Sequence, residues 1–195
     1  MRRHSYILMI CTVALAFPWV LAPSLRADDA KTPKVTFGFR SILPDNKKDQ
    51  NNVSFEGITD PQLQAELKTL GDKEGYNSFK SLLSDSKDVD TGQTIEYRAD
   101  NALDIFVKVN VTKVQVWVGA DKKKTTFISY TYEVVNRTQK VVNGKKVVEE
   151  KSLLKVDTKV EAGKYRIVIV RSAYPPKGDN PAKDLIIAIK PEINP

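Results

Sequence analysis

Paired carboxylates hydrolyse glycosides without help from any other side-chain type, and Asp104 and Glu133 are the pair this sequence offers for that chemistry. Each falls in a strand-like run, and the ordinary reading of both is a solvent-facing position on a sheet. A second grouping, Asp85, Asp88 and Asp90, could supply oxygen ligands to a hard cation such as calcium. It lacks the spacing of a calcium-binding loop and has Lys87 inside it, so a solvated turn is expected there instead. Asp45 and Asp49, with Asn46, Asn51 and Asn52, are read the same way. Lys122, Lys123 and Lys124 form a basic run, Lys145 and Lys146 a shorter one, and Phe127, Tyr130 and Tyr132 follow the first. Aromatic residues beside lysines suit single-stranded nucleic acid, but lysines also keep exposed strands from pairing with other chains.

The remaining chemistry is decided by position. The only His and Cys of the 195 residues, both Met and one of the two Trp lie within the first 27. That stretch reads as a signal peptide: Arg2, Arg3 and His4, then a nearly unbroken apolar run over residues 7–22, then Ser24-Leu25-Arg26-Ala27 before Asp28-Asp29. The run is interrupted by Pro18 and is short for a membrane span. Met9-Ile10 precede Cys11 where lipid attachment would need small residues. Cleavage after residue 27 leaves 168 residues with 28 basic and 24 acidic side chains, a net charge of +4. Such a chain has no His or Cys for nucleophilic triads, zinc or copper sites, or disulfides, and no Met for haem ligation. Its fold must be held by an apolar core, and 168 residues suffice for one. We therefore expect a non-enzymatic protein with no catalytic, cofactor or metal site, exported to the periplasm or beyond. Export also disfavours nucleic acid as a partner.

The elements that position these residues are mostly strands. After a flexible lead at 28–34, residues 34–43 alternate, with Val35, Phe37 and Phe39 on one face. One helix is expected over residues 61–70, capped by Asp60, started by Pro61, striped by Leu63, Leu67 and Leu70, and ended by Gly71 in a left-handed conformation. Residues 76–83 are read as extended or briefly helical. From residue 93 onward strand follows strand: 93–98, 102–111, 113–119, 125–135, 151–160, 165–171 and 184–190. Asn143-Gly144 between valine pairs is a type I′ hairpin signature, because both turn residues must accept positive φ. Seven to nine short strands with one helix, and no alternation of strand and helix, predict a mainly β protein. It should be an antiparallel sandwich or rolled sheet forming a single domain over residues 35–195.

Residues 171–184 form a proline-rich connection in which Tyr174 stands beside Pro175-Pro176. Prolines lower the entropy lost when a loop docks, so Tyr174, Pro175 and Pro176, together with Lys122, Lys123 and Lys124, are the expected partner-binding residues.

Two stretches resemble known proteins. Residues 160–170 (VEAGKYRIVIV) and 183–193 (KDLIIAIKPEI) are similar to the end of bacterial secretin channel domains, a glycine-led strand followed by a hydrophobic strand with a Pro-x-Ile ending. Arg171-Ser172 stands where that family has a glycine pair. Residues 60–70 and 76–83 resemble the layout of small exported envelope proteins of planctomycete-type bacteria. The resemblance implies an envelope protein accessory to a secretion or pilus-like assembly, with no catalytic residues carried over. Its partner is then an envelope protein or an anionic envelope polymer. The alternatives are a secreted carbohydrate-binding or carbohydrate-active domain and a self-associating surface protein. The sequence leaves open the partner's identity, the oligomeric state, the strand order, the biological process, and whether the leader is cleaved or retained as an anchor. It predicts no integral membrane protein once the leader is cleaved.

Overall fold

The computed structural model describes residues 34–48, 50, 52–101, 103–176 and 181–194. The expected signal peptide at 1–27, and the expected lead at 28–34 except Lys34, lie outside the described residues. Nine strands and one helix follow in the order β1 (Val35–Asp45), β2 (Ser54–Glu56), α1 (Pro61–Glu74), β3 (Ser78–Val89), β4 (Thr94–Arg98), β5 (Ile105–Val118), β6 (Lys124–Val142), β7 (Lys145–Glu161), β8 (Arg166–Tyr174) and β9 (Lys183–Ile193). The described residues make two sheets and no closed barrel. One has the order β2-β3-β1-β9-β8, and the other is the meander β4-β5-β6-β7. Every pairing is antiparallel except the three-residue match of β2 to β3. No helix among the described residues is long and apolar enough to cross a membrane.

Period-two alternation builds the principal core. Val35, Phe37 and Phe39 of β1 face Val107, Val109 and Val111 of β5 and Ile128, Tyr130 and Tyr132 of β6 across the sandwich. Phe37 meets Tyr130 edge-on with ring centroids 5.0 Å apart, and Phe39 stacks on Tyr97 at 4.6 Å. The Tyr97 hydroxyl donates to the Phe37 carbonyl at 2.7 Å, which ties the two sheets by a polar contact inside the apolar layer. Strand β9 is apolar on both faces for a reason. Leu185, Ile187 and Ile189 enter this core, while Ile186 and Ala188 enter a second one beneath α1 with Leu63, Leu67 and Phe79. Among the described residues, every buried residue of both cores lies between Val35 and Ile189.

The helix begins as its sequence dictates. The Asp60 carboxylate accepts from the backbone N–H groups of Gln62 (2.9 Å) and Leu63 (3.2 Å), and Pro61 opens the first turn. It ends a turn later than expected. Gly71 is buried within the helix, where a Cβ would lie 2.4 Å from the Tyr76 carbonyl oxygen and 3.1 Å from Phe79 Cζ. The left-handed cap is Gly75 (φ 82°), whose N–H reaches the Gly71 carbonyl at 2.8 Å. The glycine at 71 thus serves close packing of the helix on the β3 segment.

Residues 84–90 differ from the expected turn. Ser84 to Val89 belong to β3 and pair with β1, Asp85 opposite Phe39 and Asp88 opposite Thr36. Because β2 covers only residues 78–80, this half of β3 is an open sheet edge among the described residues, and charged side chains are the rule on such edges. The segments expected as separate strands at 102–111 and 113–119 are one strand, β5. A bulge at Thr112 shifts the inward set from Val109 and Val111 to Val114 without breaking the ladder. The hairpin at Asn143 (φ 53°) and Gly144 (φ 77°) has the expected positive φ at both positions.

Candidate protein-binding edge

β6 and β7 are 19 and 17 residues long, far beyond what the sandwich needs. The pairing of β5 with β6 stops at Ile105 opposite Asn136, and beyond it residues 138–142 pair with 145–149 alone. This two-stranded ribbon projects about 17 Å at ~3.4 Å per residue. Its tip exposes Val141 (70%), Val142 (51%), Val147 (46%) and Val148 (55%). At the opposite corner of the same sheet β5 and β6 project a shorter ribbon, with Val116, Trp117 and Val118 exposed. Lys159 lies over the rings of Trp117 (5.1 Å) and Phe127 (4.9 Å) there.

The root of the long ribbon is braced by Arg137. Its Nη1 and Nη2 donate to the two carboxylate oxygens of Glu96 at 2.7 and 2.5 Å, and its Nε donates to Glu150 at 2.7 Å. Lys108 Nζ reaches the other Glu150 oxygen at 2.5 Å, and the guanidinium lies 4.1 Å from the Phe106 ring centroid. Four strands are joined through one side chain. The hydrogen bonds from Lys108 and then Arg137 hold the Glu150 carboxyl below its ordinary pKa, keeping it charged.

Strand β7 ends its sheet, and among the described residues no strand pairs with its outer side. A bulge at Leu153, where Val134 faces Leu154 and Val135 faces Ser152, divides that edge in two. Residues 154–160 turn Leu154, Val156 and Val160 onto the core, and the groove beside Leu153 and Leu154 is lined by Val170 and Ala173 of β8. Residues 145–152 form the free edge of the ribbon and are exposed throughout.

The expected partner-binding residues fall at separate places. Lys122, Lys123 and Lys124 are exposed at the β5–β6 turn. There Lys122 adopts φ 61°, and the Lys123 N–H donates to the Asp121 carboxylate at 3.0 Å. Tyr174 is half-buried against the principal core and its hydroxyl donates to the Asp100 carboxylate, while Pro175 and Pro176 are exposed beside it. Asp100 precedes β5 and the lysines follow it, so the two groups are separated by the length of that strand, on the order of 40 Å. The expected 171–184 loop is shorter than the sequence suggests, because β8 continues to Tyr174 and β9 begins at Lys183. Asp184 makes that possible: it accepts from Arg171 Nη1 (2.8 Å) and from the N–H of Ser172 (2.7 Å), which takes a left-handed φ of 51°.

The two candidate carboxylates are also apart. The Arg137 N–H donates to the Asp104 carbonyl, whereas Glu133 lies opposite Lys108 and Lys155, four residues further along β6. That is about 13 Å at the strand rise, beyond the ~5–9.5 Å over which glycosidase carboxylates cooperate. Asp104 is ion-paired to Arg98 at 3.4 Å. No group of three or more metal-ligating side chains is gathered among the described residues.

Sequence reading did not single out the ribbon valines or Arg137 as a site. The signal was present in the spacing of the Asn143-Gly144 turn from the core-facing Val134 and Leu154, which makes the hairpin arms too long for the sandwich. No family model matches the chain, and no curated protein matches it. A solved structure to which the chain is similar is the type II secretin GspD from enteropathogenic Escherichia coli, at 12% identity over 83% of this chain and 67% of that one. The TM-score is 0.31, at which the likeness fixes neither fold nor function.

Proposed function

We propose that this protein is a non-enzymatic binding and assembly module of the bacterial cell envelope, which recognises a protein partner by adding a strand to the outer edge of β7. The observation that carries this reading is the ribbon tip: outward-facing backbone groups along residues 145–152 that no strand among the described residues pairs, flanked by exposed valines and held away from the sandwich. Strand addition draws affinity from main-chain hydrogen bonds and specificity from alternate side chains, and an exposed edge with apolar residues supplies both. Export rests on the leader-like residues 1–27, and a role beside a secretion or pilus-like assembly rests on the sequence resemblance of residues 160–193.

Site-specific photo-crosslinking in the native host tests it. A photoreactive side chain at Lys146 or Val148 should give a discrete protein adduct, and one at Thr69 on the exposed side of α1 should not. Adducts of equal yield at all three positions, or none at any, would remove β7 as the binding edge.

A further inference from the structure

We infer that the strand added to β7 is the same segment of a second copy of this chain, paired antiparallel about a two-fold axis at Val147; this rests on the strand-addition reading above. The argument begins with the backbone. A two-residue hairpin places Val142 and Lys145 in a hydrogen-bonded pair, so along β7 the odd residues 145, 147 and 149 bond to β6. The N–H and C=O groups of Lys146, Val148 and Glu150 therefore point outward from the edge. A two-fold axis perpendicular to a continuous sheet sets each residue at the axis against its own copy, so the register is defined by one central residue.

Charge then selects among these registers. Centres at Lys146, Glu149, Glu150 and Lys151 each oppose that residue to itself, a like-charge contact, and a centre at Val148 opposes Lys145 to Lys151. Among centres from 146 to 151, only Val147 opposes no like charges. It sets Lys145 against Glu149 twice, Val147 against Val147, and Lys146 against Val148 twice. The Lys–Glu and Val–Val pairs fall at the non-hydrogen-bonded positions, where side chains approach most closely and opposite charges stabilise pairing. The outward N–H and C=O groups of Lys146 and Val148 bond to those of Val148 and Lys146 of the second copy. The bulge at Leu153 ends the ladder and confines it to the tip. Glu149, already paired to Lys140 within the ribbon, gains a second lysine across the interface.

Complementary charge reversal on the full chain tests this. The wild type should show a concentration-dependent monomer–dimer equilibrium in sedimentation. Lys145→Glu and Glu149→Lys should each weaken dimerisation at least tenfold. An equimolar mixture of the two variants should restore it as a heterodimer, since each copy then supplies the charge the other lacks. A wild type that stays monomeric at millimolar concentration, or two variants that fail to associate on mixing, would overturn the inference. The photo-crosslink from Val148 separates the two readings. An adduct of twice the chain's mass supports self-pairing. An adduct to a different protein without rescue on mixing leaves strand addition standing and self-pairing refuted, and no adduct refutes both.

Discussion

Arg137 grips the Glu96 carboxylate with both terminal nitrogens, at 2.7 and 2.5 Å, and so pins β6 to β4 across the intervening β5 where the ribbon leaves the sandwich. The geometry is bidentate, which a lysine ammonium cannot reproduce. Both Arg137→Lys and Arg137→Leu should therefore loosen the ribbon root. Because the pair is partly exposed, the loss in global stability should stay within about 1 kcal/mol. Amide hydrogen exchange should accelerate over residues 138–149 in both variants, while amides of residues 105–111 keep wild-type protection. Uniform acceleration would mean that Arg137 supports the whole sheet.

Much of the fold was legible because one physical signal dominates it. Val35, Phe37 and Phe39, or Ile128, Tyr130 and Tyr132, alternate because one face of each strand is buried, and alternation survives in sequence. Where another constraint took over, legibility failed. Residues 84–89 of β3 carry Ser, Asp and Lys because an open edge favours charge, so they imitate a turn. Thr112 reads as a break because a bulge and a strand end both disturb the period. The outer edge of β7 was hidden for a deeper reason: free backbone groups leave no residue signature, and only the sheet order shows which strand lacks a neighbour among the described residues.

Gly71 and Gly75 allow two glycine roles to be separated by substitution. Alanine at 71 would drive its Cβ to 2.4 Å from a backbone oxygen, so the helix must move off β3. Overpacking of this kind should cost about 2 kcal/mol or more. Alanine at 75 meets nothing within 4 Å and bears only the left-handed conformation, worth about 1 kcal/mol. Urea midpoints with unchanged m values should rank wild type above Gly75→Ala and Gly75→Ala above Gly71→Ala. The reverse order would return the cap to residue 71.

Asp184 and Tyr76 link stability to pH on both sides of neutrality. Burial pushes the Asp184 carboxyl up, but hydrogen bonds from Tyr76, the Ser172 N–H and Arg171 outweigh it and hold the group below its ordinary 3.8. Its folded pKa is depressed, so the stabilisation is complete above 3.8 and is lost as pH falls through the folded value. Burial and then the hydrogen bond to Asp184 at 2.5 Å push the Tyr76 phenol up to about 12 from 10.0. That stabilisation is complete below pH 10 and is lost as pH rises through 12. Tyr76→Phe should flatten both limbs of a urea-midpoint profile, and Asp184→Asn should remove the larger part of the acid limb it governs. An acid limb unchanged by Asp184→Asn would assign it to the other carboxyls held low, Asp60, Glu149 and Glu150.

Proline placed at adjacent positions of β7 discriminates the edge from the hairpin. At Val147 the N–H bonds to β6, so Val147→Pro removes a ladder bond and should fray the ribbon, seen as lost exchange protection over residues 138–149. At Val148 the N–H points outward, and an edge strand tolerates proline where the missing donor faced solvent. Val148→Pro should therefore leave the ribbon and the melting temperature near wild type, yet abolish any partner added to this edge. The informative measurement is the crosslink yield from position 146 in each variant. Full yield in Val148→Pro would show that the partner is held by the exposed valines of the tip rather than by the backbone of β7, and strand addition would give way to side-chain docking.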